Sequence, residues 1–273
     1  MASVTRPSRN AVALIVTVLV AVLAAVTAGV LRPWSPQVAE VEQAAAQEPV
    51  LTPPAIRLPA HPDVLVFGDS WTYGSAATPI RRGYAYVLAS LLDGQTVVDG
   101  GRGSGYLKPG IDRPDYGTRI AALDPTAEYD LIVVQGSIND RRQPAAGYRD
   151  AVNAAWDALV ELYPGTPIVV LGPAPQVLPV EAATARIDRD LAALAAERQW
   201  WYISPIAEEW ITPRNYATVI DTSDYGRDHP SVAGHAYLAE RLAGALAEIT
   251  DPVTTLEAAE EAPAEPVSPA SLP

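Results

Sequence analysis

The stretch VLVFGDSWTYG, residues 64–74, joins an apolar segment directly to a glycine, an aspartate and a serine. Its first four residues form an uninterrupted apolar run, which predicts a strand buried on both faces of a sheet. The strand ends at Gly68-Asp69-Ser70, and these residue types are common in turns. The tripeptide is therefore consistent with an ordinary turn or with a serine nucleophile displayed at the carboxyl edge of the sheet. The rest of the sequence distinguishes these two alternatives.

Further short apolar runs alternate with amphipathic segments along the chain. They predict strands over residues 64–67, 96–98, 131–134, 168–171 and 201–203, and helices over 84–92, 117–123, 148–163, 180–199 and 231–249. This alternation favours right-handed crossovers and a parallel sheet. We therefore predict the α/β class, as a three-layer α/β/α sandwich with a doubly wound, flavodoxin-like parallel sheet of about five strands. Functional groups in that architecture lie on loops beyond the carboxyl ends of the strands.

Length, charge and the absence of cysteine limit the possible functions. With 273 residues the chain can bury one substantial core, or at most two small ones. A formal net charge of -13 argues against a nucleic-acid partner, because binding a phosphate backbone requires clustered lysine and arginine. The sequence contains no cysteine, which excludes disulfides, thiolate metal sites and cysteine nucleophiles.

The N-terminus carries a targeting or membrane signal. Arg6 and Arg9 precede an uncharged apolar run over residues 11–31. As a helix this run is about 30 Å long, which matches the hydrocarbon core of a bilayer. Besides a buried soluble helix, two alternatives stay open, an uncleaved transmembrane signal-anchor or a signal peptide cleaved after Ala28. In either case residues 1–10 form a cytoplasmic n-region and the bulk of the chain is outside, attached to the cell membrane by a single pass or secreted.

Two segments of biased composition flank the predicted domain. Residues 32–62 are rich in proline, alanine, glutamine and glutamate, and they predict an extended tether. Residues 251–273 are acidic and proline-rich, and they predict a disordered tail. The folded domain is therefore predicted over residues 63–250.

Four loops at the predicted edge of the sheet contain residues suited to chemistry. They read GDS (68–70), DGGRGSGYL (99–107), QGSINDRR (135–142) and DHPSVAGH (228–235). The first three follow predicted strands, and the fourth precedes the last helix. A glycine-rich loop can direct a backbone N–H toward an oxyanion, and an asparagine side chain can supply another donor.

A serine nucleophile needs a base, and histidine is the base whose ordinary pKa lies nearest neutrality. The chain has three histidines. His61 lies in the tether, and His235 lies within a helix, where capping or packing is the expected role. His229 precedes Pro230 on a constrained loop, which makes it the candidate base. A metal site at His229 and His235 is not expected, because their spacing does not match one helical face.

The order of these four loops resembles the sequence blocks of the SGNH (GDSL-type) hydrolases, a family of serine esterases and lipases. The Gly-Asp-Ser block resembles residues 68–70, and the glycine block resembles 101–105. The Gly-x-Asn-Asp block resembles the segment ending at Asn139-Asp140, and the histidine block resembles His229. The resemblance implies the SGNH-hydrolase fold and a carboxylic ester hydrolase that uses no metal and no cofactor.

The resemblance also implies roles for individual residues. Ser70 is expected to be the nucleophile and His229 its base. The expected oxyanion-hole donors are the backbone N–H groups of Ser70 and Gly103 and the side chain of Asn139.

The sequence departs from the family pattern at two positions. The family has glycine two residues before its asparagine, where this chain has Ser137. The family places an aspartate three residues before its histidine, where this chain has Gly226. Asp224, Asp228 or a backbone carbonyl are therefore alternative partners for the imidazole of His229.

The combined observations predict an exported or membrane-anchored serine ester hydrolase, an acyl or acetyl esterase or a lipase-like enzyme. Its substrate is expected to be a small-molecule, glycan or lipid ester, and its catalytic domain is expected to be monomeric. Two alternatives are an O-acyltransferase on the same fold and a non-catalytic envelope domain that binds a glycan or a partner. The aromatic residues Trp71, Tyr73 and Tyr106 form a substrate-facing wall or pack in the core.

Overall fold

A five-stranded parallel sheet lies at the centre of the computed structural model, which describes residues 52–252. A short strand β1 (Ile56–Leu58) precedes the five central strands, β2 (Asp63–Gly68), β3 (Gln95–Gly100), β4 (Leu131–Gln135), β5 (Ile168–Leu171) and β6 (Trp201–Ile203). Their order across the sheet is β3-β2-β4-β5-β6, with every neighbouring pair parallel. This is the flavodoxin-like doubly wound order, so the predicted fold class is confirmed.

Helices cover both faces of this sheet. They are α1 (Ser70–Tyr73), α2 (Tyr84–Leu91), α3 (Tyr116–Ile120), α4 (Tyr148–Leu162), α5 (Ala182–Glu197), α6 (Tyr216–Val219) and α7 (Val232–Ile249). Helices α2 and α7 pack together on one face, whereas α3, α4 and α5 cover the other. The five predicted helices are confirmed to within a few residues, which is the usual uncertainty at helix ends.

The central strands are buried on both faces, as their continuous apolar runs predict. Along β2, Val64 and Val66 contribute to the core under α2 and α7. Leu65 and Phe67 point to the opposite face and join the core under α3, α4 and α5. The edge strand β3 differs because Val97 is half exposed. Two separate hydrophobic clusters, one on each face of the sheet, therefore support the strands whose carboxyl ends carry the four loops.

One strand pair lies outside the predicted domain limits of 63–250. Strand β1 pairs in parallel with β9 (Thr250–Pro252), and the side chains of Ile56 and Leu58 are buried in the core under α2 and α7. The predicted tether over 32–62 is therefore wrong for residues 56–58, and the folded unit also extends past residue 250. Two apolar residues in a proline-rich segment do not indicate which distant segment they will pair with.

A two-stranded antiparallel ribbon sits before the last helix. Strand β7 (Ile220–Asp221) pairs with β8 (His229–Pro230), and the intervening residues form a tight loop. The ribbon holds both ends of that loop, so the position of His229 is set by backbone hydrogen bonds rather than by side-chain packing alone.

The predictions for the N-terminal run and most of the flanks lie outside the described residues. This applies to residues 1–10, the apolar run 11–31, the tether up to residue 51 and the tail from residue 253. Among residues 52–252, no helix is long and apolar enough to cross a bilayer.

Candidate active site

The four residues predicted for the site line one cleft. Ser70, Gly103, Asn139 and His229 all border a cavity of about 500 Å³ at the carboxyl edge of the sheet. Ser70 follows β2, and Asn139 lies in the segment after β4. These two strands are neighbours at the point where the strand order reverses, which is where ligands bind in doubly wound folds.

Ser70 is the first residue of α1 and directly follows the turn at the end of β2. A side chain at Gly68 would place its Cβ only 2.2 Å from Thr72 Oγ1, so the turn requires glycine there. Asp69 caps the helix, because its Oδ1 accepts the backbone N–H of Trp71 at 2.9 Å. The serine is thereby held in a short, capped turn whose geometry the core on both sides supports.

His229 contacts Ser70 directly. Its Nε2 lies 2.9 Å from Ser70 Oγ, and its Nδ1 lies 2.9 Å from the carbonyl oxygen of Gly226. Because a carbonyl oxygen can only accept, Nδ1 carries the proton and Nε2 is left as the acceptor for the serine hydroxyl. The imidazole is therefore in the tautomer that a base for Ser70 requires.

A backbone carbonyl, among the three alternatives, is the hydrogen-bond partner of the imidazole. Asp224 is exposed, and the hydrogen bonds of the ring within residues 52–252 go to Ser70 and Gly226. The backbone N–H of Asp228 donates to the carbonyl oxygen of Asp221 in the ribbon. Gly226 is required because a Cβ there would lie 2.2 Å from Asp221. The position that holds aspartate in the family pattern thus supplies a main-chain acceptor.

The turn that presents this carbonyl is strained. Arg227 and Asp228 have φ values of +50° and +60°, a region that costs energy for residues with a side chain. The β7–β8 pairing and the hydrogen bond from Asp228 N to Asp221 O hold the turn in this conformation. Strain of this kind persists only where the surrounding structure imposes it, and here it places His229 next to Ser70.

Gly103 and Asn139 supply further polar groups to the lining of the cleft. Gly103 has a φ of +74°, which suits glycine, and its carbonyl accepts the ammonium of Lys108 at 2.7 Å. The amide nitrogen of Asn139 donates to the carbonyl of Ser104 at 3.0 Å. A side-chain amide has two N–H groups, so this bond orients Asn139 and leaves the second N–H as a donor.

Asp140 organises the glycine loop, a role that the sequence analysis missed. Its buried carboxylate accepts the backbone N–H groups of Tyr106 (2.7 Å), Leu107 (3.1 Å) and Lys108 (3.0 Å), and the hydroxyl of Ser137. Burial raises the pKa of this carboxyl above its ordinary value, while these hydrogen bonds oppose the rise. Because Asp140 adjoins Asn139 in the chain, it fixes the glycine loop relative to that asparagine. The adjacent Asn139-Asp140 pair was the feature of the sequence that could have indicated this role for Asp140.

Arg119 is a second residue that sequence reasoning missed. Its guanidinium is buried and donates to the Gly68 carbonyl (2.8 Å), to Ser104 Oγ (2.8 Å) and to the carbonyl and carboxylate of Asp99. It therefore ties the serine turn, the end of β3 and the glycine loop together. Nothing in its helical surroundings in the sequence distinguishes it from a surface arginine.

Asp69, next to the candidate nucleophile, has a perturbed carboxyl. Burial raises its pKa to about 6, although its hydrogen bond from Trp71 and the charge of Arg119 act in the opposite direction. Its Oδ2 has no hydrogen-bond partner within the described chain. The carboxyl is thus a capping group held in a site that disfavours its charge.

The other two histidines lie outside the cleft. His61 is exposed, and its Nδ1 donates to the carbonyl of Asp93 at 2.7 Å. His235 is fully buried, where it accepts the Tyr84 N–H at 3.2 Å and donates to the Ser75 carbonyl at 2.9 Å. Burial lowers the pKa of His235 to about 4, so the ring is neutral near pH 7. It joins α7 to α2 and to the loop after α1.

Of the aromatic residues Trp71, Tyr73 and Tyr106, two pack in the core and one lines the cleft. Trp71 and Tyr106 are buried in the two hydrophobic clusters, on opposite faces of the sheet. Tyr73 lines the cleft and stacks under the guanidinium of Arg102, whose Cζ lies 5.3 Å from the ring centre. Of the three rings, Tyr73 therefore faces the cleft, whereas the other two pack in the core.

Comparison with known proteins gives the following findings. Residues 66–237 match the GDSL-like Lipase/Acylhydrolase family. A carbohydrate acetylesterase family member from Sinorhizobium meliloti has a similar structure, with 18% identity, a TM-score of 0.52, and coverage of 68% of this chain and 98% of its own. An aryl esterase from M. smegmatis is similar at 18% identity and a TM-score of 0.52, with coverage of 68% and 99%. No relative was found among curated protein sequences.

Proposed function

We propose that this chain, which belongs to the GDSL-like Lipase/Acylhydrolase family, hydrolyses carboxylic esters with Ser70 as nucleophile and His229 as base. The observation that carries this proposal is the 2.9 Å contact between Ser70 Oγ and His229 Nε2 in a cleft that Gly103 and Asn139 also line. A nucleophile within hydrogen-bond reach of an oriented base is the arrangement that acyl transfer requires.

The proposed reaction proceeds in two halves. Ser70 Oγ attacks the ester carbonyl while its proton passes to His229 Nε2, which gives a tetrahedral oxyanion and an imidazolium ion. The intermediate then expels the alcohol, which takes the proton from Nε2 and leaves an acyl-serine. In the second half, His229 takes a proton from water, whose oxygen attacks the acyl carbon. Collapse releases the carboxylic acid and returns the proton to Ser70 Oγ.

The imidazolium formed in each half is stabilised by a dipole and not by a carboxylate. Its Nδ1–H donates to the Gly226 carbonyl, which keeps the ring orientation through proton transfer. A neutral acceptor stabilises positive charge less than an ionised one does. Ser70 and His229 therefore form a dyad in which the main-chain carbonyl of Gly226 orients the base.

Three donors are proposed to bind the oxyanion, namely the backbone N–H groups of Ser70 and Gly103 and the free N–H of Asn139. Such donors act on charge that develops only in the transition state, so they raise turnover more than substrate affinity. Asp140 supports them by accepting backbone N–H groups of the glycine loop after Gly103, and Lys108 supports them by donating to the Gly103 carbonyl.

The proposed roles predict a graded set of losses with a p-nitrophenyl acetate assay. Ser70→Ala and His229→Ala should each abolish nearly all turnover, and the double variant should be little worse because the two act as one unit. Asn139→Ala should lower kcat by about 10²–10³ with little change in KM, since two backbone donors remain.

His61→Ala is the matched control for histidine removal, because His61 is exposed and outside the cleft. His235 is unsuitable as a control, since its removal would break two buried hydrogen bonds. Full activity in Ser70→Ala, or equal losses in His61→Ala and His229→Ala, would contradict the assignment. An active Ser70 should also react with a fluorophosphonate, which a non-catalytic binding domain would not do.

Short acyl esters are the proposed first substrates. Two structural neighbours are named as a carbohydrate acetylesterase family member and an aryl esterase. The cleft, at about 500 Å³, accommodates a small acyl group together with its alcohol. Screening p-nitrophenyl esters of increasing acyl length beside acetylated polysaccharides tests this choice, and preference for long acyl chains would contradict it.

We also propose that the hydrolase domain acts outside the cytoplasm. The support is the basic n-region and the apolar run 11–31 in the sequence. If this run is an anchor, the protein should stay with membranes after a high-salt wash, because apolar insertion is insensitive to screening. An N-terminus beginning after Ala28 would instead show a cleaved and secreted form, and full-length protein in the cytosolic fraction would contradict export.

A further inference from the structure

The lining of the cleft is basic, although the chain as a whole is acidic. Among its lining residues in the described chain are five cations and no aspartate or glutamate, whereas the full sequence has a net charge of -13. The cations are Arg102, Lys108, Arg141, Arg142 and Arg227. A surface patch drawn at random from this chain would have the opposite sign. The charge reversal therefore coincides with the candidate active site.

Part of this positive charge is neutralised by carboxylates at the margin of the cleft. Arg102 pairs with Asp112 at 2.7 Å, and Arg141 pairs with Glu181 at 2.9 Å. These two arginines have structural partners, and their charges are largely compensated. Lys108, the only lysine in the chain, donates to the Gly103 carbonyl and to no carboxylate in the described residues, so its charge is uncompensated.

Arg142 and Arg227 are the two arginines of the cleft lining that have no carboxylate partner in the described residues. Both line the cleft and are exposed, and neither makes an ion pair or a side-chain hydrogen bond within residues 52–252. Arg142 lies in the 3₁₀ turn Ile138–Arg142, which also carries Asn139. Arg227 lies in the strained turn whose carbonyl group orients His229. Each of these free guanidinium groups is therefore attached to a segment that forms the site.

Uncompensated arginines in a concave site attract and orient anions. Charge of one sign in a cleft focuses the field and raises the local concentration of oppositely charged ligands. A guanidinium also presents parallel N–H groups that match a carboxylate or a phosphate. A neutral ester uses neither property.

We propose that the substrate is an ester that carries an anionic group, a carboxylate or a phosphate, and that Arg142 and Arg227 recognise this group with help from the charge of Lys108. This inference rests on the proposed function, and it specifies the substrate class of the same site. The ester carbonyl lies at Ser70, and the anion lies toward the arginines on the rim of the cleft.

Matched pairs of esters test the proposal on each side of the ester bond. For an anion on the alcohol side, 4-acetoxybenzoate is compared with neutral 4-acetoxybenzamide. For an anion on the acyl side, monomethyl adipate is compared with methyl adipamate. The full chain should show a ratio of kcat/KM, anionic over neutral, of about 10 or more in at least one pair. Raising the salt concentration from about 0.05 M to 0.5 M should lower that ratio.

Single substitutions locate the recognition. Arg142→Gln and Arg227→Gln should each lower the anionic-to-neutral ratio by about threefold to tenfold, and the double variant should lower it further. Arg214→Gln is the matched control, because Arg214 is exposed and does not line the cleft. Its ratio should equal that of the unmodified chain. A ratio near one in both pairs overturns the proposal, as does an equal fall in Arg214→Gln.

A binding measurement separates this inference from the proposed function. Ser70→Ala protein should bind the anionic ester of the preferred pair at least about 10-fold more tightly than its neutral partner in calorimetric titration, and Arg142→Gln added to it should reduce the difference. If the full chain hydrolyses none of the four esters but shows this binding, the proposed function fails and anion recognition stands. If it hydrolyses the neutral esters through Ser70 without preference or differential binding, anion recognition fails and the proposed function stands.

Discussion

Replacing Asp69 by asparagine should change how the stability of the protein depends on pH. The pKa of Asp69 is about 6 in the folded protein and 3.8 in the ordinary reference state, because burial disfavours its charge. Between these values the folded state holds more protons than the unfolded state. The free energy of unfolding must therefore fall as pH rises through this window, by about 3 kcal/mol in total for a fully buried group.

His235 acts in the opposite direction over nearly the same window. Its pKa is about 4 in the folded protein and 6.5 in the ordinary reference state, again because of burial. Here the unfolded state holds more protons, so the free energy of unfolding rises with pH, by about 3 kcal/mol. In the unmodified chain the two contributions nearly cancel. Replacing either residue therefore leaves the pH dependence contributed by the other residue uncancelled.

Urea unfolding followed by tryptophan fluorescence at pH 4, 5, 6 and 7 measures these effects. The difference in unfolding free energy, Asp69→Asn minus unmodified chain, should increase by about 2 kcal/mol from pH 4 to pH 7, because pH 4 already lies above the pKa of the unfolded state. The same difference for His235→Gln should decrease by a similar amount. Asp224→Asn, at an exposed position, controls for the change of residue type. A pH-independent difference for Asp69→Asn would refute the reasoning.

Two further predictions concern the loop support and the domain limits. Asp140→Asn exchanges one acceptor oxygen for a donor, which removes at least one of the backbone hydrogen bonds to this side chain. The turnover number kcat should fall about 10–10²-fold as the loop shifts, and an unchanged kcat would contradict the positioning role. A fragment of residues 52–252 should be more stable to urea than a fragment of residues 63–250, by roughly 3 kcal/mol, because only the longer fragment contains the buried side chains of Ile56 and Leu58. Equal stabilities of the two fragments would contradict the contribution of these side chains.

The sequence alone determined the central sheet, the helices around it and the identity of the candidate nucleophile and base. Apolar runs such as 64–67 and 168–171 carry that information locally, since a strand buried on both faces must be apolar at every position. The four loops were also predictable, because a parallel sheet with helical crossovers brings its carboxyl ends to one edge. Ser70 and His229, distant in the chain, could therefore be expected to meet.

The contacts that hold this site together could be identified only in the folded protein. The partner of His229 is a carbonyl, and every residue has one, so no side-chain pattern could select Gly226 over Asp224 or Asp228. The glycine-loop bonds to Asp140 depend on a close approach between segments far apart in sequence.

The same limitation applies to Arg119, to the pairing of β1 with β9 and to the basic lining of the cleft. Each arises when residues with no local relationship become neighbours, as when a chain of net charge -13 places five cations around one cavity. Local patterns specify which elements form and which side chains are chemically able to act. Distances between segments specify which of those side chains do act, and these distances exist only once the chain has folded.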